Sequence, residues 1–267
     1  MPKISVVTVA FNSARTIEDT ILSVRAQKDA DHEHIIVDGA SSDGTMDIVE
    51  RHRDRLAAVV SAPDLGIYDA MNKGVALAKG SYIGFLNSDD YFASDHALAG
   101  IGEAFEADAG LGCVWGDILY VDASNRPRRI VDASWFRPSL LKYAIMPPHP
   151  GFYARTDAIR AAGGFEAKYK IAGDFDLMVR LFKEPSFRGR HIDELVTVMR
   201  LGGVSTEDMA ASRFASSELL DALLRNGVSS RTWMVNARYL LKMLEMARGA
   251  LAYAGGTTYP PHRASEP

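Results

Sequence analysis

The chain is poor in the features that would place it in several large classes. It has a single cysteine, Cys113, among 267 residues. One cysteine forms no internal disulfide, and no Cys/His cluster has zinc spacing. Cys113 lies in the apolar run 111–115 and reads as core, in keeping with a reducing compartment. No apolar run reaches the roughly 18 residues that a membrane span requires. A strand begins almost at the first residue, which leaves no room for a secretory leader. Positive charge is not in excess: the formal net charge is −4, which gives no reason to expect nucleic acid as a partner. No G-x-G-x-x-G follows the first strand, so a dinucleotide fold is not indicated. No internal repeat is visible. Hydrophobic content of 47% and charged content of 24% are those of an ordinary globular protein.

What is present is a regular alternation. Residues 4–9 and 34–37 are β-branched apolar runs, the pattern of strands buried on both faces. A helix is predicted at 14–27, a second after Asp43 through about Arg51, a short strand at 58–60, and a helix at 67–78. A fourth strand, 82–86, follows. Strands alternating with helices in this way predict a doubly wound, mainly parallel α/β sheet. Such sheets bind ligands outside the carboxyl ends of their strands. Polar residues gather there: Thr8 and Asn12, Asp38, Asp64, then Asn87, Asp89 and Asp90.

The run Asn87-Ser88-Asp89-Asp90 is the most informative of these. An apolar strand leads straight into two adjacent carboxylates. Hard divalent cations take oxygen ligands, often one or two carboxylates together with substrate phosphates. A metal–diphosphate site is one reading; a solvated turn with an Asx cap is the other.

Downstream, a strand at 113–121 and a second at 126–131 predict a hairpin. The Pro-His-Pro loop at 148–150 leads to a strand at 151–154, and a helix near 156–162 ends at Gly163-Gly164. A helix over 174–182, a strand over 191–199, a Gly-rich segment at 202–205 and helical periodicity from 207 to 253 complete the reading. The expected division is a domain over 1–205 (halves 1–110 and 111–205), helices over 206–253, and a disordered tail over 254–267.

The ordered set Val7-Thr8-Val9-Ala10-Phe11-Asn12, Val37-Asp38-Gly39, Asn72-Lys73-Gly74, Asn87-Ser88-Asp89-Asp90, Gly163-Gly164-Phe165 and Gly173-Asp174-Phe175-Asp176 resembles the family 2 glycosyltransferases. The segment Asp64 to Lys73 is similar to the branch that builds bacterial surface polysaccharides, of colanic acid type. The resemblance implies the GT-A fold, a Rossmann-like nucleotide-binding half, and inverting transfer from a nucleoside-diphosphate sugar. It implies Mn²⁺ or Mg²⁺ at Asp89 and Asp90. It also implies donor contacts from Thr8, Ala10, Asn12, Asp38, Asp64, Asn87, Ser88 and Asp89; Thr8 and Asn12 could instead satisfy the loop backbone, and Lys73 could reach phosphate or simply lie solvated on its helix. Asp38 would read a uracil or guanine N–H, or simply close an Asx turn.

Asp174 falls where the family places the base that deprotonates the acceptor hydroxyl; as the opening of a helix it also suits an N-cap. Asp176 is expected to pair with Arg180 at i, i+4. Three positions depart from the family pattern: Asn87 for an aspartate, Gly173 for an acid, and Met71 for an arginine. His149 could contact acceptor, diphosphate or metal, or be an exposed loop residue. Gly203 and Ser205 could belong to a loop closing on the donor, or to a plain connection.

The C-terminal segment carries five basic residues against one acid between Arg225 and Arg248. Trp233, Ala237, Leu240, Leu244, Ala247 and Leu251 repeat at helical spacing. Over 225–251 this suits peripheral contact with an anionic membrane, or packing on the domain or on a second copy in a homodimer. The acceptor implied is a glycan or a polyprenyl-diphosphate-linked glycan, reached from the cytoplasm at the inner face of the membrane. Two rival readings are a nucleotidyltransferase and a catalytically degenerate nucleotide-sugar-binding subunit.

Overall fold

The computed structural model describes residues 4–201, 209–240 and 243. The first half alternates strand and helix: β1 (Ile4–Ala10), α1 (Ile17–Arg25), β2 (His32–Asp38), α2 (Thr45–Arg51), β3 (Ala58–Ser61), α3 (Ile67–Leu77) and β4 (Tyr82–Phe85). All seven residues of β1 are buried. Val7 and Val9 enter the core shared with α3, while Ile4 and Val6 enter the core on the other side. That is why the strand has no polar alternation. Gly74 lets α3 lie close on the sheet, since a Cβ there would sit 2.3 Å from a Val7 methyl. The first helix begins at Ile17, not at residue 14, because Ser13 to Thr16 form a turn closed on the Ser13 carbonyl.

The second half contains β5 (Tyr91–Phe92), α4 (Ala97–Ala107), β6 (Leu111–Val121), β7 (Pro127–Val131), β8 (Phe152–Arg155), α5 (Thr156–Ala161), α6 (Gly173–Lys183), β9 (Arg188–Arg200), α7 (Met209–Arg225) and α8 (Thr232–Asn236). The sheet order is β3-β2-β1-β4-β8-β6-β9-β5, with β7 paired to β6 as the expected hairpin. The first four strands are parallel. The antiparallel β8 then joins β4 to β6, and β9 runs parallel to β6.

The chain proceeds outward from β1 to β3, then returns so that β4 pairs on the opposite side of β1. This reversal opens a crevice at the carboxyl ends of β1 and β4. β6 is aligned with β4 through β8, so its carboxyl end faces the same way.

The helical reading from 207 to 253 breaks within the described residues. α7 stops at Arg225, Gly227 takes φ +72°, and α8 begins at Thr232. Ala222, Leu223 and Val235 sit in the same core as α6 and β8. The expected tail at 254–267, and the expected helical stretch from 244 to 253, lie outside the described residues.

Candidate active site

On the side of β1 and β2, backbone geometry is fixed by short polar side chains. β1 ends at Ala10, whose carbonyl accepts from the Gly39 N–H at 2.9 Å. Asn12 takes φ +50°, with Oδ1 accepting from the Ser42 N–H at 3.0 Å. Asp38 is enclosed at the end of β2. Its carboxylate accepts from the Ser41 N–H at 3.0 Å and the Ser61 hydroxyl at 2.7 Å, so it holds the turn beyond the strand. Thr8 does not end β1 as its position suggested: the strand runs on to Ala10, and the enclosed Thr8 hydroxyl lies 3.0 Å from His34 Nε2. Burial lowers His34 to about 3, so this imidazole is neutral at pH 7.

Three residues form one wall of the crevice. Phe11 is 66% exposed. A Cβ on Gly39 would lie 3.3 Å from the Phe11 ring and 2.7 Å from Asp64 Oδ2. The other oxygen of Asp64 accepts from the Gly66 N–H at 2.9 Å. An exposed ring beside a carboxylate oxygen can stack a planar base and accept from its N–H. Lys73 donates to the Pro63 carbonyl at 3.0 Å and pairs with Asp69 at 3.2 Å, tying α3 to the Asp64 loop. Met71, where some relatives have arginine, is buried in the core.

The carboxyl end of β4 carries the acidic turn. Asp90 N–H donates to the Asn87 carbonyl at 3.0 Å, and Ser88 meets the Ser13 hydroxyl at 2.7 Å. Asp90 is 1% exposed. Its Oδ2 and the Oδ1 of Asn87 are both enclosed without a partner among the described residues. Burial, and then the neighbouring Asp89, push the Asp90 carboxyl well above the ordinary range, against the pull of Arg200. Burial also raises Asp89. Enclosed acceptors are normally satisfied, and oxygen donors around two crowded carboxylates are the ligand set of a hard cation. The residues therefore fit a divalent metal.

Arg200, at the end of β9, was not foreseen. It donates to the Asp89 carbonyl at 3.0 Å, pairs with Asp19, and covers the Tyr91 ring at 4.9 Å.

Across the crevice, Asp174 is the second residue of α6. It is not the N-cap, which is Ala172. Its Oδ1 accepts from the Phe175 N–H at 2.8 Å and lies 3.3 Å from the Tyr68 hydroxyl. Burial raises the Asp174 carboxyl, with His149 opposing. The glycine before it has a steric cause: a Cβ on Gly173 would sit 2.7 Å from the Tyr68 ring. Asp176 pairs with Arg180 at 2.8 Å, as its spacing predicts, and Arg180 also caps the end of α5 through the Gly164 carbonyl at 2.7 Å. His149 is no exposed loop residue. Its ring stacks on Phe85 at 5.6 Å, and its Nε2 is enclosed without a partner among the described residues.

A second cluster went unread in the sequence. Asp117 on β6, Asp132 and His191 on β9 bring ligand atoms within 4.8 Å of one another, a set that could also hold a metal ion. Asp117 Oδ1 accepts from the Ala133 N–H at 3.0 Å and meets His191 Nε2 at 2.8 Å. Gly203 and Ser205 lie outside the described residues.

Comparison with known proteins gives concordant results. The model of "Glycosyl transferase family 2" matches residues 5–164. An uncharacterized glycosyltransferase of Mycobacterium tuberculosis is 31% identical over 67% of this chain and 68% of its own length. A PGL/p-HBAD biosynthesis glycosyltransferase of Mycobacterium bovis is 27% identical over 76% of this chain and 79% of its own. Among solved structures, the mannosyltransferase PcManGT of Pyrobaculum calidifontis, in complex with GDP-Man and Mn²⁺, aligns with a TM-score of 0.64. It is 20% identical, over 96% of this chain and 76% of that one, a likeness of fold.

Proposed function

The chain belongs to glycosyl transferase family 2 and is a glycosyltransferase of the GT-A fold; we propose that it moves a sugar, with inversion, from a UDP- or GDP-linked donor. The acceptor is a hydroxyl of a glycan or of a polyprenyl-diphosphate-linked glycan in surface-polysaccharide synthesis. The observation that carries this reading is the pair of enclosed acceptors, Asn87 Oδ1 and Asp90 Oδ2, without partners among the described residues, at the crevice between β1 and β4.

The nucleoside occupies the wall made by Phe11, Gly39 and Asp64, with the base stacked on the exposed ring. Asp38 sets the loop behind it and reaches the base only by giving up a serine. Asn12 and Ala10 present backbone at the strand end, and Lys73 steadies the Asp64 loop. The diphosphate lies toward Ser88 and Asp89. Asp89 and Asp90, with Asn87 beside them, would hold Mn²⁺ or Mg²⁺, which supplies charge neutralisation to the departing diphosphate. Arg200 holds the turn from the opposite side by its bond to the Asp89 carbonyl.

Asp174 removes the proton of the acceptor hydroxyl. The oxygen forms its bond to the anomeric carbon as the bond from that carbon to the diphosphate breaks, and the electron pair leaves with the nucleoside diphosphate. Attack from the face opposite the leaving group inverts the configuration. A base with a raised pKa suits this step, because proton transfer is most effective when the pKa lies near the working pH.

The site of action proposed is the cytoplasmic membrane surface. Among the described residues no helix is long and apolar enough to cross a membrane. Trp233 and Leu240 are 64% and 67% exposed, so these two apolar side chains are not packed on the domain. Arg238, one of the basic residues of this segment, turns inward to the Ser216 hydroxyl and the Val235 carbonyl.

The test is product analysis with UDP- and GDP-sugars, Mn²⁺ and short glycan acceptors. Release of UDP or GDP with a new β- or α-linkage opposite to the donor's supports the reading. Release of pyrophosphate would assign a nucleotidyltransferase, and donor binding without turnover a degenerate subunit.

A further inference from the structure

Beside Asp174 lies a cavity of about 10 Å³. Its walls are apolar and come from β4, β8, α5 and α6, with Ile83, Phe85, Phe152 and Met178 among them. Two polar side chains interrupt this lining, Asp174 and His149. The volume is close to that needed for a single water. His149 Nε2 is enclosed and has no partner among the described residues. An unsatisfied buried polar atom costs roughly 1–3 kcal/mol, so such atoms are seldom left bare. Asp174 Oδ1 is already engaged by the Phe175 N–H and the Tyr68 hydroxyl.

Taking Asp174 as the base, as proposed above, we infer that one water in this cavity links Asp174 to His149 Nε2, and that His149 carries away the proton released in each transfer. The proton balance is simple. The acceptor O–H proton goes to the Asp174 carboxylate. The water takes that proton and gives one of its own to Nε2. The carboxylate and the water are restored, and an imidazolium is formed. His149 is only half-buried, and Nδ1 is not among its enclosed atoms, so the proton leaves for solvent from Nδ1. Once the products depart, Nδ1 regains a proton from solvent as Nε2 gives its own back through the water and the uncovered Asp174 carboxylate to solvent, which restores the starting tautomer.

The ring is held for this role. It stacks on Phe85 at 5.6 Å and meets Phe165 edge-on at 6.3 Å. The titratable groups that face the pair are few. Asp174 comes from α6 and Tyr68 from α3; the other side chains lining the cavity are apolar. Burial holds the Tyr68 hydroxyl far above its ordinary value, so it stays protonated. Burial raises Asp174 and lowers His149, and each partner's charge opposes the shift of the other. Burial thus draws their proton affinities together, as transfer between them requires. His149 acts through Asp174 and does not touch the substrate.

Two measurements test this. The first needs no activity: the His149 ring is titrated by NMR in the wild type and in Asp174→Asn, its resonance identified by its loss in His149→Gln. Removal of the carboxylate is expected to lower the ring's ionisation by about half a pH unit or more. An unchanged titration would overturn the link. The second is the pH profile of kcat in His149→Gln and His149→Ala, with melting curves as the check on folding.

A drop in kcat of about tenfold or more, an unchanged KM for the donor, and rescue of His149→Ala by added imidazole are expected. A folded His149→Ala with a wild-type pH profile, or one that imidazole does not rescue, would overturn the relay. If the wild type transfers no sugar to any acceptor while the ring still titrates with Asp174, the fault lies in the transferase reading and not in the coupling.

Discussion

Asp174 and Asp90 are both carboxyls that burial raises, but the consequences differ. For Asp174 the prediction concerns rate. Asp174→Asn should lower kcat by about 10²–10⁴-fold while donor binding, read by calorimetry, persists. Because its pKa lies above the ordinary 3.8, wild-type activity should fall as pH is lowered through that raised value, and a kcat/KM profile reads where.

For Asp90 the prediction concerns stability. A carboxyl whose folded pKa is raised adds stability below its unfolded pKa, and this is lost as pH rises through the folded one. As pH rises through that raised value, Asp90 becomes charged and weakens the cation-free fold. Asp90→Asn should melt higher than wild type in chelator, by about 2–4 °C for each kcal/mol relieved. It should also lose the rise in Tm that Mn²⁺ gives the wild type.

These acids stood out in the sequence because each closes a strand or opens a helix. Arg200 and the Asp117–His191 pair did not. Their partners lie 111 and 74 residues away in the chain, and no local pattern announces such a contact.

At the scale of elements, the strands of the first half were legible because runs buried on both faces must be apolar throughout. β5 and α4 were not: a two-residue strand has no period, and the Ala/Gly-rich α4 is apolar nearly all round. The C-terminal helices kept their period across Gly227, where positive φ ends the helical path. The join of α3 to α6 was legible only as a departure from pattern at Gly173. The structure gives the reason, since the Tyr68 ring fills the space a side chain would need. Gly173→Ala should cost about 1–3 kcal/mol by overpacking. By displacing Tyr68 from Asp174 it should also lower kcat more than the donor's KM changes; chemical denaturation and steady-state kinetics on the same preparation check both.

For the whole molecule, the proposed division of labour places the nucleotide on the first half, the acceptor on the second, and the membrane at α8. Trp233→Ser with Leu240→Ser should abolish co-sedimentation with vesicles containing anionic lipid and leave transfer to a short water-soluble acceptor unchanged. Vesicle binding that survives both substitutions would place the contact elsewhere.

The central claim is tested most directly by calorimetric titration of UDP and GDP into wild type and an Asp89→Asn, Asp90→Asn variant, each in Mn²⁺ and in chelator. The expected result is that one nucleoside diphosphate binds the wild type at least about tenfold more tightly in Mn²⁺, a gain of roughly 1.4 kcal/mol, and that the variant loses this difference. Equal binding in chelator, the same metal response in the variant, or no binding of either nucleotide would contradict it.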